Sequence, residues 1–284
     1  MKKTFNLKSI FFLLVSSLCF SVLGGLIKYA SVFFHAFEQA FFRNVFSIII
    51  ILPIFFLLKE NPYTTNKKKI LFLRSIFGAL TMILLFWSYT LIPLSQVMAI
   101  SFSTPLFIFL GGIIFFKEKI DRSNILIMLC GFAFTILIIR PDISIKFGTI
   151  IALMAAISHA VTGLIVKNLT KTESVFCIMF YMVIFMSPLT FVPSFFVWEV
   201  PSEMKVWITL FLLALVGTLG NFCWTKAISL APTTRIMPFE FSKLIFATII
   251  GIMFFNENLD IITIFGGLGI IICNLIISKR INGK

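Results

Sequence analysis

The sequence predicts an all-α, polytopic membrane protein: ten transmembrane helices arranged as two inverted five-helix repeats. Three observations carry that expectation. Of 284 residues, 60% are hydrophobic and 12% charged, about half the charged share of a soluble domain. A 33-residue stretch recurs 139 positions along the chain without a gap. The basic residues gather at one set of ends of the apolar runs, as they do beside a membrane.

The apolar runs come first in order. A helix needs about 20 apolar residues to cross a bilayer. Ten runs approach that length, at about 9–28, 37–58, 70–91, 96–116, 123–140, 147–166, 175–198, 206–227, 233–255 and 260–278. The first follows MKKTFNLKS, which resembles a signal peptide. Its apolar run is too long for one, no small-residue cleavage site follows, and an uncleaved helix is expected. The polar breaks between runs are short, and none has the length of a soluble domain.

The duplication is read by placing 89–121 over 228–260, where 12 of the 33 residues are identical. Among them are Pro93/Pro232, Phe102/Phe241, Gly112/Gly251, Glu118/Glu257 and Asp121/Asp260. The same offset pairs Gly78 with Gly217 and Lys28 with Lys167. Apolar segments share Leu and Ile by composition alone; an ordered match that keeps Pro, Glu and Asp marks an internal copy. The predicted units are 1–140 and 141–284.

Orientation follows from the cations. With the N-terminus inside, 18 basic residues fall at the cytoplasmic face, Arg74 and Lys167 among them. Lys28, Arg140, Lys146 and Lys205 fall outside, and Arg43 and Lys243 lie within runs. Both termini are therefore expected in the cytoplasm, on a multi-pass protein of the inner membrane. Five spans per copy is an odd number, so the second copy enters from the opposite side. Lys117, Lys119 and Arg122 become Asn256, Asn258 and Ile261 in that copy. Loss of the inner-face cations is what inversion predicts, and inverted repeats are typical of secondary transporters.

The motifs LIP (91–93), FSTPL (102–106) and KE (117–118), with AISLAP (227–232) and NE (256–257) in the second copy, resemble the drug/metabolite transporter superfamily. The likeness is to its ten-helix group built from two EamA domains. Pro105 has no counterpart, Leu244 standing in its place, so the resemblance carries no bend from the fourth span to the ninth. HAFEQAFFRNVFS (35–47) and ISFSTPLF (100–107) are similar to runs in S-adenosylmethionine uptake transporters of intracellular bacteria. Comparable FFRN-like runs occur in riboflavin importers. The resemblance implies a carrier of a small polar metabolite, S-adenosylmethionine a candidate, with export of amino acids or drugs as the alternative.

The candidate site residues are the polar ones at membrane depth, where a charge costs about 2.5–3.5 kcal/mol or more. Gln39, Arg43 and Ser47 share one helical face. Arg43 either binds a carboxylate or phosphate of the substrate or anchors packing through Glu38 or backbone carbonyls. Glu240 and Lys243 are three apart, and their first-copy counterparts are Ser101 and Thr104. These four either line a central cavity suited to a zwitterion, or Glu240 and Lys243 merely neutralise each other. His159 is read as a core histidine ahead of a proton relay. Trp87 and Trp224 are read as interfacial anchors ahead of stacking platforms for an aromatic substrate.

The same residues weigh against other classes. The net charge of +13 is spread over run ends rather than one polar face, so no nucleic-acid partner is expected. Five scattered cysteines and two histidines form no metal-ligand spacing, so neither metal nor cofactor is expected. HExxH, GxSxG and the phosphate-cradling GxxxxGK are absent from the sequence, so neither an enzyme nor an ATP-driven pump is expected. The expected partners are the lipid bilayer and a small-molecule substrate, with a homodimer left open.

Overall fold

The computed structural model describes residues 7–58, 65–92, 97, 100–118, 122–139, 147–199, 203–255 and 261–282. The regular structure among these residues is helical, without a strand. The first half holds α1 (Leu7–Ala30), α2 (Ala36–Leu58), α3 (Lys68–Leu91), α4 (Thr104–Phe116) and α5 (Arg122–Ile139). The second holds α6 (Phe147–Leu169), α7 (Val175–Phe195), α8 (Met204–Leu230), α9 (Ser242–Phe255) and α10 (Ile261–Asn282). Six of them, α1 to α3 and α6 to α8, are long and apolar enough to cross a membrane.

Large apolar side chains point outward along these helices. Ile114, Phe115, Ile157, Leu219 and Phe265 are all exposed. A soluble protein rarely leaves so much contiguous apolar surface bare. Lipid removes that penalty, and the polar groups turn inward instead.

Two helices are discontinuous, in matching places. Ile100 and Ser101 are helical, the chain turns at Phe102 and Ser103, and α4 then begins at Thr104. In the second half a single turn, Thr233–Ile236, passes into a 3-10 turn, Met237–Phe241, before α9 begins at Ser242. Position 102 maps onto 241 under the 139-residue offset. Helices of 13 and 14 residues are only about 20 Å long at 1.5 Å per residue, short of a roughly 30 Å hydrocarbon core. The ninth span thus breaks without a counterpart of Pro105. Pro238, in the first turn of the 3-10 segment, lacks the N–H an α-helix would use there.

The halves are interleaved rather than side by side. α1 packs on α8, and α3 on α6; α2 packs on α7, and α5 on α10. α1 also meets α9 while α4 meets α6, and α3 meets α7 while α2 meets α8. Adding or removing five from each helix number leaves this set of pairings unchanged.

Arg74 departs from the sequence expectation. Rather than facing the cytoplasm, it is buried on α3, Nη1 donating to Met186 Sδ on α7 at 3.4 Å. Its depth explains this: six residues into α3 is about 9 Å of rise, and α7 covers that turn. Glu38 is also buried and accepts from the Glu199 N–H at 2.5 Å. It is not the partner of Arg43.

Candidate functional site

Both helix breaks open onto one cavity. Its size is about 180 Å³, room for roughly 12–18 waters at about 10–15 Å³ each. α1, α3 and α6 form much of its wall, with α2, α7 and α8 completing it. Ser101 and Thr104 reach it from the first break; Glu240 and Lys243 reach it from the second. Arg43, His159 and Trp224 also line it. Gln39 and Trp87 do not: Gln39 Nε2 donates to the Phe34 carbonyl at 3.2 Å, and Trp87 packs edge-on against Phe37 and Phe147.

Why each polar group points inward is local. Arg43 leaves α2 toward α8 and lies on Gly217, where a side chain would collide with it: a Cβ there would sit 2.6 Å from Arg43 Nε. Its Nη2 donates to the Gly217 carbonyl at 3.4 Å and Nη1 to Met82 Sδ at 3.5 Å, while the buried Nε has no partner. Ser47, one turn on, bonds the Arg43 carbonyl at 2.7 Å and accepts from Thr218 Oγ1 at 2.7 Å. These bonds tie α2 to α8 and hold the arginine's backbone.

Glu240 and Lys243 are not each other's partners. Trp224 Nε1 donates to Glu240 Oε1, and Lys243 Nζ lies 5.2 Å from the Phe20 ring centroid. Trp224 is buried rather than interfacial, its ring centroid 5.3 Å from that of His159. His159 therefore faces the cavity behind an indole. Thr104 is satisfied by the Ala156 carbonyl at 3.2 Å, whereas the buried Ser101 Oγ has no partner and is free to bond a solute.

Sequence reasoning passed over Arg74. It lines the cavity, and its buried Nε has no partner. The signal available was a lone arginine five residues past a lysine run, which reads equally well as interfacial. Met82 and Met186 were also missed; their thioethers are soft, weak acceptors that line the cavity beside the two guanidiniums.

One end of the second break is held by groups from elsewhere in the chain. Lys117, with φ 50°, ends α4 in the left-handed region and turns Glu118 back toward Gly112. Glu118 Oε1 accepts from Thr233 N at 3.0 Å, and Oε2 from Thr233 Oγ1 at 3.0 Å and Thr234 N at 2.8 Å. Lys167 Nζ donates to the Ile228 carbonyl at 2.8 Å and to that of Ala231 at 2.5 Å, capping the C-terminal end of α8. Among the described residues there is no cluster of three or more His, Cys, Asp or Glu able to hold a metal.

Known proteins resemble the chain across nearly its whole length. The EamA-like transporter family model matches residues 7–140 and again 146–279. An S-adenosylmethionine uptake transporter of Rickettsia bellii is 29% identical over 283 residues, covering 97% of this chain and 94% of that one. The pseudopaline exporter CntI of Pseudomonas aeruginosa is 25% identical over 276 residues, covering 95% of each. A crystal structure superposes with a TM-score of 0.80 at 12% identity, over 96% of this chain and 97% of the other. That likeness is one of fold.

Proposed function

Because the chain belongs to the EamA-like transporter family, we propose that it is a secondary carrier that moves a small polar metabolite through the cavity by alternating access. It is a multi-pass membrane transporter and not an enzyme. Its ten helices form two five-helix units, 1–140 and 141–284, inserted in opposite senses in the bacterial inner membrane with both termini in the cytoplasm. The pairwise helix contacts, which survive exchange of the two halves, support that symmetry. A pseudo-two-fold axis in the membrane plane gives inward-open and outward-open states of similar energy.

The single observation carrying the reading is where the breaks lie. Two short helices start at one cavity, and their first turns present Thr104 and Lys243 to it. Unwound backbone at membrane depth is tolerated where it lines a water-filled site. The polar set suits an amino-acid-derived solute: Arg43 for the carboxylate, Glu240 for a cationic group, Ser101 for a hydrogen bond, and Trp224 as an apolar wall. S-adenosylmethionine, the cargo named for the Rickettsia relatives, carries such a head group and is the first solute to test. Export is the alternative, favoured by the name of the Pseudomonas relative.

The test is counterflow of labelled S-adenosylmethionine and amino acids into proteoliposomes without ATP. Arg43→Ala and Glu240→Gln should each cut the rate about tenfold or more, the effect of losing one charge-assisted hydrogen bond. Reconstituted protein yield should not change. Wild-type rates in both variants would remove the cavity assignment.

A further inference from the structure

Charge in the cavity is unbalanced. Among the described residues lining it stand Arg43, Arg74 and Lys243 against a single carboxylate, Glu240, an excess of two positive charges. Glu240 already accepts from Trp224. Arg43 and Arg74 are both at least nine-tenths buried, make only weak bonds to sulfur or one carbonyl, and each leaves Nε unbonded. Both line the same cavity. Two guanidiniums without a carboxylate partner in one buried site repel, and burying either without an anion is costly. The first turns of α4 and α9 line the same cavity through Thr104 and Lys243, and a helix N-terminus favours negative charge.

We propose that Arg43 and Arg74 together form a two-guanidinium anion site, so that the transported solute presents two negative charges a few bonds apart, as a short dicarboxylate or a phosphate monoester does. The inference rests on the carrier reading and revises its cargo, from a solute with one carboxylate to one with two negative charges. One carboxylate answers one arginine and leaves the other buried and bare. A dianionic group is met by both forks, and the occupied site is then close to neutral. Neutrality suits a carrier, because the loaded cavity must pass through a state sealed from water at both faces. The thioethers of Met82 and Met186 fit this role: they hold the guanidiniums in place without competing for their charge. Arg74 is a specificity-determining residue here, selecting dianions over monoanions.

The experiment is thermal unfolding of the full chain in detergent, at constant ionic strength, with succinate, glycerol 3-phosphate, alanine or S-adenosylmethionine. Succinate or glycerol 3-phosphate should raise the Tm at concentrations at which alanine and S-adenosylmethionine do not, and which of the two does so identifies the source of the dianion. Arg74→Gln should weaken dianion binding about tenfold or more and alanine binding by less than threefold. The empty variant should melt no lower than wild type, since an uncompensated buried charge has been removed; this separates lost recognition from misfolding. Arg74→Lys keeps the charge without the fork and should fall between. Equal or stronger stabilisation by S-adenosylmethionine or alanine, an equal loss for all four solutes in Arg74→Gln, or no shift with any solute would each overturn the inference. Counterflow separates it from the carrier reading. Exchange of S-adenosylmethionine without exchange of dianions keeps the carrier and discards the dianion site; dianion binding without exchange does the reverse.

Discussion

At the scale of single residues, the position of Arg43 depends on an absence. Gly217 provides the space its guanidinium occupies, with the ideal Cβ position 2.6 Å from Nε and 3.1 Å from Nη2. Alanine in a helix interior is favoured over glycine by about 1 kcal/mol, so Gly217→Ala should leave the Tm in detergent unchanged or raised. The arginine is flexible and will move aside. Transport should then fall about tenfold or more, measured as counterflow per reconstituted molecule. A variant that unfolds would show instead that Gly217 serves packing. Arg43 was legible in the sequence because a charge inside an apolar run has no ordinary explanation. Arg74 was not, because its depth depends on α7 lying across α3, and a linear reading does not contain that contact. Trp224 was misplaced for the same reason: its partner Glu240 is 16 residues away, across a break in the helix.

Among the helical elements, the second break is held by the turn after α4. Glu118 takes three hydrogen bonds from Thr233 and Thr234, and a Cβ on Gly112 would sit only 2.2 Å from Thr233 Oγ1. A carboxylate at the first free N–H groups of a helical turn supplies both a cap and a favourable charge. Glu118→Ala should lower stability by about 2 kcal/mol, the upper range for loss of a cap, read as a fall in Tm. Glu118→Gln should cost less, since the amide oxygen still accepts. An unchanged Tm in Glu118→Ala would show that Thr233 and Thr234 are held by other groups. The repeat had already singled out Glu118 through its match with Glu257, but not its partner, 115 residues away. The break in the ninth span was hidden by Leu244 at the counterpart of Pro105. Pro238, five residues before Lys243, does the equivalent work from a different position in the turn.

The whole molecule is organised by the exchange of its halves. The contacts of α1 with α8 and α9, and of α3 with α6 and α7, have counterparts in those of α6 with α3 and α4, and of α8 with α1 and α2. If the units are inverted, positions that match under the 139-residue offset at the ends of the fourth and ninth apolar runs lie on opposite faces. Lys117→Cys and Asn256→Cys, each in a background with the five native cysteines replaced, should then react with an impermeant maleimide from opposite sides of the membrane. Intact cells should label only the second, and inside-out vesicles only the first; labelling of both from one side would refute inversion. The sequence alone determined that this is a helical membrane protein built from a duplicated unit, and that a few polar residues lie within its apolar runs. Hydropathy and repetition are local or periodic properties, and a chain carries them in one dimension. Only the tertiary structure decided which of those polar residues share a cavity, and that Arg74 joins them while Gln39 and Trp87 do not. Burial and charge balance arise between helices far apart in the chain, and they exist only once those helices have packed.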